Sequence, residues 1–524
     1  MGYLPDDIAA QLTPLYGATS NADRLLAFWK TSGFTEWPGI EQERAFYLSR
    51  GALGSTFADI RADFWNRIGP QHPFASLGAT WWIDAASESQ TASGLQLATN
   101  RGDPLAGDAR YGSTTGADSN DPTLLQWTGE NYLHLPGGSA SYAATSDVAA
   151  LRLASDIDVR VRVGLNSWNT GATQSLVSKW TDLTANRSWM LRIGTTGRLE
   201  LTTSADGSTA LTHASTANPT ASNGQVIWIR ATLDVDDGSG NRVVQFFQAP
   251  DSATEPTAWT QVGTTITVAG TTSLFASTAN VNVGAHNGGL TGFNAGKYYR
   301  AVLRDGINGA AVWDANFATN TNQSSFADSA GSRTVSILRG STGRKSAMVT
   351  RPVWAFGADD YLEVADNDLL DFGPSDSFTV VVAVRHWGTI ANNSIVGKSS
   401  GNISATMQGY QMFFSGGAPS FRLGDGATRV GGVSVTTASS GNFAVYSFHR
   451  DVTLDRVWAE RDGAETAGRT TDTTTGTLAN AEKFYIGGQP SVGYSDMELY
   501  GVAVFRRALT DTEIATITTF YGGA

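Results

Sequence analysis

The segment Asp158-Val-Arg-Val-Arg-Val163 alternates strictly between polar and apolar residues. Because successive side chains of a β-strand point to opposite faces, this alternation predicts a strand with one buried face. The same pattern recurs in Val226-Ile-Trp-Ile-Arg-Ala-Thr-Leu233 and in Arg242-Val-Val-Gln-Phe-Phe247. Between these two lies Asp236-Asp-Gly-Ser-Gly240, a composition typical of a turn. The last two strands are therefore predicted to form a hairpin.

An internal repeat extends this pattern to the end of the chain. Five segments recur in the same order: Val159–Val163 as Val380–Val384, Ser175–Lys179 as Ser394–Lys398, Leu199–Leu201 as Phe421–Leu423, Val281–Gly284 as Phe484–Gly487, and Tyr299–Ile307 as Gly501–Leu509. Because the segments keep their order while the loops between them change in length, they indicate a duplicated unit. We therefore expect two copies of one antiparallel β-sandwich, the second with a middle loop shorter by roughly 20 residues.

Composition agrees with this fold class and excludes several functions. A chain of 524 residues exceeds the size of a single core, so two large domains and a smaller one are expected. Only 16% of residues are charged and 58 are Gly, which favours short strands and turns. The net charge of -12 argues against a nucleic-acid partner. The absence of Cys excludes disulfides and thiolate chemistry.

The first seventy residues have a different pattern. Apolar residues at helical spacing predict short helices, with Phe28 and Trp29 on one face and Phe64 and Trp65 on another. These aromatics form either the core of a small bundle or a docking face. No apolar run is long enough to span a membrane, and the N-terminus lacks the pattern of a signal peptide.

The predicted organisation has four parts. Residues 1–70 form a helical adaptor, 71–120 an irregular connector, 121–320 the first sandwich and 321–524 the second. The connector is assigned because Gly, Ser, Asp and Asn crowd around short apolar pieces there. Each sandwich is large enough to be expected to fold independently.

The second copy resembles a known family of folds. Its opening, Phe356-Gly-Ala-Asp-Asp-Tyr-Leu-Glu-Val364 with Ser377-Phe-Thr-Val380, and its ending, Gly501–Ile514, are similar to laminin-G-like, concanavalin-A-like jelly rolls. The first copy departs from this pattern, since Arg300–Ile307 is not followed by the Thr-Asp-x-Glu-Ile closing helix. The resemblance implies a mainly β chain with two such jelly rolls in tandem behind the helical N-terminal domain.

A narrower resemblance covers more of the chain. Five segments look like those of minor tail proteins of phages that infect actinobacteria: Arg110–Ser113, Ala117–Pro122, Tyr132–Gly137, Ile157–Val163 and Arg351–Trp354. This resemblance implies a structural protein of the virion, in the tail or on the capsid surface, that displays its sandwiches for contact with host glycans. The N-terminal helices would then anchor it to other virion proteins through Phe28, Trp29, Phe64 and Trp65, and a homo-oligomer is expected.

Candidate binding residues follow from this interpretation. Aromatic residues expected near turns could stack on sugar rings, and the candidates are Trp168, Trp180, Trp387 and Tyr494. The fold that is resembled often holds Ca²⁺ at its rim, and Asp359, Asp360, Asp366 and Asp368 are the candidate ligands. This interpretation requires no cofactor. The alternative explanations without a binding function are that the aromatic residues pack at the rim of the fold and that the carboxylates are simply solvated.

Catalysis is disfavoured by missing motifs. The six His residues lie far apart, and neither Gly-x-Ser-x-Gly nor a phosphate-binding Gly-x₄-Gly-Lys loop occurs. A jelly-roll glycosidase would need paired carboxylates, usually as Glu-x-Asp-x-Glu on one strand, and this run is also absent. We therefore expect no enzyme. A phage-borne glycan-degrading enzyme and a bacterial surface adhesin stand as the alternatives.

Overall fold

The computed structural model describes residues 42, 44, 45, 72–88, 97–112, 121–127, 129–183, 185–340, 345–357, 359–387, 393–400, 406–415, 418–436, 441–465, 468–490 and 492–522. Gln42, Arg44 and Ala45 are helical and exposed, and the rest of the predicted adaptor lies outside the described residues. The described part is mainly β. None of its helices has the length and apolarity that crossing a membrane would require.

The chain divides into two compact units, one interrupting the other. The inserted unit is residues 127–350, and the outer unit combines residues 1–126 with 351–524. This differs from the expected tandem order, in which the boundary lay between residues 320 and 321. The inserted unit is one continuous stretch of chain, whereas the outer unit requires both of its pieces.

The first piece of the outer unit contains α1 (Pro73–Ser76), β1 (Trp81–Asp84), β2 (Leu97–Ala98), β3 (Ala109–Tyr111) and β4 (Thr123–Leu125). The inserted unit contains β5 (Tyr132–Pro136), β6 (Tyr142–Thr145), β7 (Ile157–Leu165), β8 (Gln174–Thr181), β9 (Asn186–Ile193), β10 (Leu199–Thr203), β11 (Leu211–Ala214), β12 (Ile227–Asp234), β13 (Asn241–Pro250), β14 (Thr260–Gln261), β15 (Ile266–Ala269), β16 (Val281–Val283), β17 (Ala295–Asp305), β18 (Ala310–Asn316), β19 (Ser325–Ala327), β20 (Thr334–Leu338) and β21 (Ala347–Val349).

The second piece of the outer unit contains β22 (Val353–Phe356), β23 (Leu362–Val364), β24 (Phe378–His386), β25 (Ser394–Ser399), β26 (Gln408–Ser415), β27 (Ala418–Asp425), β28 (Arg429–Ser434), β29 (Phe443–Asp451), β30 (Arg456–Arg461), β31 (Ala464–Glu465), β32 (Thr470–Thr471), β33 (Phe484–Ile486), β34 (Gly488–Gln489), β35 (Gly493–Tyr494), β36 (Met497–Phe505) and α2 (Asp511–Gly522). Short 3₁₀ helices cover Ala85–Ser87, Pro104–Ala106, Ala149–Leu151, Asn287–Gly289, Phe317–Thr319 and Asp368–Leu370.

Two antiparallel sheets enclose the core of the inserted unit. One has the order β14-β13-β12-β7-β17-β5-β21, with β15 on β13 and β18 on β17, and the other has the order β11-β10-β9-β8-β16-β6-β20-β19. Their inward residues form one cluster, with Val159 and Val161 from the first sheet and Leu191 and Leu201 from the second. The predicted hairpin of residues 226–247 is confirmed, since β12 and β13 pair in antiparallel register.

The outer unit has the same arrangement. One sheet has the order β31-β30-β29-β24-β36-β22-β4, with β1 on β36 and β32 on β30, and the other has the order β2-β3-β23-β33-β25-β26-β27-β28. Its core joins Val380 and Val382 to Tyr410 and Met412. The closing helix implied by the resemblance is present as α2, which begins with Asp511 and Glu513 in its first turn.

Each unit is completed by four short strands that occupy equivalent places. In the inserted unit β18–β21 follow the long strand β17 in the chain, whereas in the outer unit β1–β4 come from the N-terminal piece. Trp81 and Trp313 are fully buried at matching points, and Asp84 and Asn316 each cap the 3₁₀ helix that follows. The segments that complete the two units are therefore structural counterparts.

The expected connector 71–120 is corrected by these strands. The described residues between 72 and 112 supply β1, β2 and β3 to both sheets of the outer unit. Their strands are only two to four residues long, so no alternating run is long enough to signal them in the sequence. Partner strands hundreds of residues away, such as β36 for β1, determine their conformation.

Candidate functional site

Three tyrosines meet on the outer face of the smaller sheet of the outer unit. On β33 the neighbours Phe484 and Ile486 enter the core, so Tyr485 points away from it. Tyr361 immediately precedes β23, and its ring centroid is 5.9 Å from those of Tyr485 and Tyr494. We call Tyr361, Tyr485 and Tyr494 the tyrosine surface.

The three rings differ in exposure. Tyr361 is only 5% exposed and forms the base of the surface, while Tyr485 and Tyr494 are half-buried. Each of the two outer rings therefore presents part of its ring and edge to solvent. A half-exposed tyrosine offers both an apolar face and a hydroxyl group to a ligand.

Charged side chains lie beside these rings. Glu363, on the same face of β23 and 5% exposed, accepts hydrogen bonds from Lys483 Nζ at 2.9 and 3.0 Å. Arg110 of β3 also donates to Glu363. Strands β3, β23 and β33 are neighbours in the sheet, which brings the first piece of the outer unit to this surface.

The phenols of Tyr485 and Tyr494 remain protonated at neutral pH. Burial raises the pKa of Tyr485, and the neighbouring Tyr361 adds to the effect. Burial likewise raises the pKa of Tyr494, with further contributions from Tyr361 and the Asp359 carboxylate. Both hydroxyl groups can therefore donate as well as accept hydrogen bonds.

The hairpin β34–β35 fixes the position of Tyr494. Gln489 on this hairpin donates to the Ser399 carbonyl at 3.1 Å and accepts from Gln411 Nε2 at 3.3 Å. The Tyr494 ring lies so close to Gly488 that a side chain at position 488 would collide with it. Gly488 is therefore needed for the close approach of this ring.

Polar atoms without partners lie beneath the hairpin. Gln411 and Ser399 are fully buried, and among the described residues neither Gln411 Oε1 nor Ser399 Oγ has a hydrogen-bond partner. Buried polar groups of this kind are usually satisfied by an ordered water or a ligand atom. These atoms lie below the tyrosine surface and are closed off from solvent.

Three comparisons with known proteins were made. No family model and no curated protein matches the sequence. Among solved structures, the chain is similar to mouse laminin alpha1 chain domains LG4-5, with 12% identity over 75% of this chain and 96% of that one and a TM-score of 0.25. It is also similar to the CBM40 of a Ruminococcus gnavus IT-sialidase, with 13% identity over 28% and 83% and a TM-score of 0.24.

A further similarity is to the binding domain of Paraclostridial Mosquitocidal Protein 1. Identity is 14% over 33% of this chain, and the TM-score is 0.26. The chain spans less than half of that protein, 44% of its length. TM-scores this low carry no argument about fold or function, so the interpretation of the site rests on its own geometry.

The predicted tryptophans lie inside the units. Trp168, Trp180 and Trp387 are 5%, 3% and 6% exposed. Trp168 belongs to the core of the inserted unit, and Trp180 Nε1 donates to Asp182 at 2.9 Å. Since ring stacking on a sugar requires an exposed face, the structure gives no support to a binding role for these three. Tyr494 is the predicted aromatic that lies on the candidate surface.

The predicted metal ligands do not converge. Asp360 is 1% exposed and accepts from the Gly357 amide at 2.6 Å, while Asp359 lies exposed near Tyr494. Asp368 opens a 3₁₀ helix that is capped by Asn367.

A lysine already occupies the position that a cation would need. The buried Lys398 ammonium lies 2.7 Å from Asp366 Oδ1 and 2.7 Å from Asp371 Oδ1. No group of three or more His, Cys, Asp or Glu suited to a metal occurs in the described part of the chain. These residues therefore do not fit a calcium ion.

Some predicted residues lie outside the described part of the chain, and some residues of the site were not predicted. Phe28, Trp29, Phe64 and Trp65, the predicted anchoring residues, lie outside the described part. Tyr361, Tyr485 and Arg110 were not predicted from the sequence. Alternation in Tyr361-Leu-Glu-Val364 could have placed Tyr361 beside Glu363, but Arg110 belonged to the presumed connector and gave no signal.

Proposed function

We propose that this chain is a non-enzymatic carbohydrate-binding protein and that the tyrosine surface holds the sugar. The observation that carries this proposal is the presence of two half-exposed tyrosine rings beside paired charged side chains on one sheet face. Apolar sugar faces stack on aromatic rings, and sugar hydroxyls need a few fixed donors and acceptors. The surface offers both.

Binding is favoured over hydrolysis by the state of Glu363. Its carboxylate is engaged by both Lys483 and Arg110, so it is not poised as a proton donor to a glycosidic oxygen. A glycosidase would need a second carboxylate across the scissile bond. A purified sample that releases reducing ends from the bound glycan would contradict the non-enzymatic assignment.

We further propose that each unit is a laminin-G-like, concanavalin-A-like jelly roll and that the protein belongs to a phage virion. The support is the sequence resemblance of Phe356–Val364 to the family's opening strand and of Arg351–Trp354 to phage tail proteins. In this role the adaptor 1–70 attaches the chain to other virion proteins, and several copies turn weak sugar contacts into avidity. Cryo-electron microscopy of the particle, before and after deletion of residues 1–70, tests the attachment. Normal incorporation of the truncated chain would contradict it.

The site itself is tested with single substitutions. Glycan binding is first located on an array, and the affinity of the best ligand is then measured for Tyr485→Ala and Tyr494→Ala. We expect each substitution to weaken binding by about fivefold, because one stacked ring contributes about 1 kcal/mol. Tyr485→Phe keeps the ring and separates stacking from hydrogen bonding.

A matched control uses an exposed ring elsewhere. Phe293 of the inserted unit is 38% exposed, and Phe293→Ala should leave affinity unchanged. Equal affinity of wild type, Tyr485→Ala and Tyr494→Ala would refute the proposed site.

A further inference from the structure

Five arginines lie on the outer face of the larger sheet of the inserted unit. Val159 and Val161 of β7 enter the core, so Arg160 and Arg162 point away from it. Neighbouring strands extend this set, since Arg230 on β12 pairs with Arg160 and Arg300 on β17 pairs with Arg162. We call the set the arginine face, and its members are Arg160, Arg162, Arg230, Arg300 and Arg304.

The centre of the arginine face is a carboxylate held between two guanidinium groups. Arg160 and Arg230 lie directly opposite each other, a relation that destabilises a sheet when the charges are alike. Asp158 accepts two hydrogen bonds from each of them, at 2.7 to 3.0 Å. Asn308 Oδ1 accepts from both at 2.9 Å. These three charged side chains keep one net positive charge.

A loop of nine residues covers this face. We call residues 251–259, between β13 and β14, the strap. Its Glu255 carboxylate lies 2.8 Å from Arg160 Nη1, 2.8 and 3.0 Å from Arg304 Nη2, and 3.7 Å from Arg300 Nη2. Glu255 therefore occupies the point where three guanidinium groups converge.

Charge also holds the two ends of the strap. Asp251 Oδ1 accepts from Arg162 Nε at 2.6 Å. The ring of Trp259 lies 5.6 Å from the guanidinium carbons of both Arg160 and Arg230. Ion pairs and cation–π contacts therefore hold the strap, together with an edge-on contact of Trp259 with Trp228, whose ring centroids are 6.4 Å apart.

The strap is attached mainly through side chains. The strap contains no strand, and its Asp251 side chain is 46% exposed. Its main chain contacts the sheet where the Ser252 carbonyl accepts a hydrogen bond from Trp228 Nε1 at 2.8 Å. The Asp251 pair lies at the surface and is screened by salt, whereas the pairs of Glu255, whose side chain is 14% exposed, are screened less. A competing anion can therefore displace the strap without opening the core.

We propose that Glu255 is an internal stand-in for a ligand carboxylate, and that the arginine face binds an acidic polysaccharide when the strap moves aside. Guanidinium groups bind carboxylates through charge-assisted hydrogen bonds, and Glu255 and Asp251 supply such bonds in the covered state. Without those two residues, five arginines face the three carboxylates of Asp158, Glu130 and Asp314, an excess of two positive charges.

A polymer fits this arrangement better than a single anion. The arginines extend over β7, β12 and β17, so several carboxylates in a row can be bound at once. In a chain with a net charge of -12, this face would carry two net positive charges once Glu255 and Asp251 have moved away. The site belongs to the inserted unit and is independent of the tyrosine surface, so either proposal can fail alone.

The test compares Glu255→Gln with wild type for binding to polygalacturonate, with neutral dextran as the reference polymer. Glu255→Gln keeps the size of the side chain but removes the competing charge. We expect polygalacturonate to bind roughly tenfold more tightly to the variant, the gain to disappear at high salt, and dextran binding to stay unchanged.

Two further variants control for net charge and for location. Glu465→Gln removes one negative charge from the outer unit and should behave as wild type. Glu255→Gln combined with Arg304→Gln should lose the gain. An equal gain in Glu465→Gln, or no gain in a folded Glu255→Gln, would overturn the proposal. Equal binding of polyglutamate would overturn the assignment to a saccharide.

Hydrogen exchange on the wild-type protein gives an answer even if Glu255→Gln does not fold. Saturating polygalacturonate should accelerate exchange of the Trp228 indole N–H, which is buried and donates to the Ser252 carbonyl of the strap, because the ligand replaces the strap. Unchanged exchange at saturation would contradict displacement of the strap.

Discussion

The same sheet face is built in opposite ways in the two units. In the inserted unit β7 presents Asp158 and Arg160 outward, and Arg160 pairs with Arg230. The equivalent positions of β24 in the outer unit are Thr379 and Val381, which pair with His449 and Ser447. The first face is charged and lies under the strap, whereas the second is less polar and lies against α2.

The covers of these faces differ in strength. Ile514, Ile517 and Tyr521 of α2 are buried. Burial of one such side chain stabilises the folded state by about 1.5 to 3 kcal/mol. The strap instead depends on ion pairs of Glu255 and Asp251 and on the contact of Trp259 with Trp228, and the exposed Asp251 pair weakens in salt. The outer unit therefore has an apolar cover, and we propose that the cover of the inserted unit is removable.

The largest expected effect concerns the continuity of the two units. A fragment of residues 127–350 should fold alone, because it contains both of its sheets and its core. A fragment of residues 351–524 should not, because β1–β4 and the core residues Trp81 and Ile83 are missing. Circular dichroism and amide spectra of both fragments test this. A cooperatively folded 351–524 fragment would contradict the insertion, and addition of 72–126 should restore folding.

A smaller effect is expected from the equivalent core tryptophans. Trp81→Ala should destabilise the outer unit, and Trp313→Ala the inserted unit, by about 3 to 5 kcal/mol each. Each substitution leaves a cavity and removes one indole hydrogen bond, to Gly107 or to Thr145. Urea unfolding followed by probes specific to each unit measures this. If either substitution shifts both transitions equally, the units are not separate cores.

The next largest effect on stability is expected from Asp158, the carboxylate held between Arg160 and Arg230. Burial alone would raise the pKa of Asp158, but hydrogen bonds from Arg160 and Arg230 hold it below its usual range. Asp158→Asn leaves the two arginines opposed, so we expect a loss of about 3 kcal/mol in the inserted unit. Thr379→Val at the equivalent position should cost less than that in urea unfolding. A larger loss in Thr379→Val would contradict the charged interpretation of this face.

Low pH should affect the outer unit through His449. Burial lowers the pKa of this imidazole to about 3, and it stacks on Trp458 with centroids 4.5 Å apart. Since the unfolded chain takes up this proton near pH 6.5, the contribution of neutral His449 is present above that pH and is lost as the pH falls toward 3.

The measurement for His449 is the free energy of unfolding of the outer unit at pH 7 and pH 4. We expect a decrease of a few kcal/mol in wild type, and a smaller decrease in His449→Gln. Burial raises the pKa of the neighbouring Glu460, which opposes the effect, so the difference between the two proteins is the relevant quantity. An equal decrease in both would exclude His449 as the source.

The sequence predicted those elements that carry long alternation. Strands β7, β12 and β13 follow from residues 158–247, and the duplication follows from matched segments such as Ser175–Lys179 and Ser394–Lys398. The insertion could not be predicted, because β1–β4 have no local pattern and pair with strands far away in the chain. Trp168 and Trp180 were placed on the surface because a single sequence does not show which loop covers an aromatic ring.

The site was predicted only in part for the same reason. Tyr494 was named from its position near a turn, but its partners Tyr361 and Tyr485 come from other strands. The arginine face was visible as the polar side of residues 158–163, yet Glu255 lies far along the chain. Local pattern therefore indicates which side chains point outward, while the topology decides what meets them.

The most direct test is one glycan array, printed with neutral and acidic saccharides and probed with wild type, Tyr494→Ala and Glu255→Gln. We expect wild type to bind neutral glycans, Tyr494→Ala to lose those signals, and Glu255→Gln to keep them and gain signals from carboxylated polymers. Neutral signals of equal strength in all three proteins, with no acidic signals in Glu255→Gln, would contradict both sites.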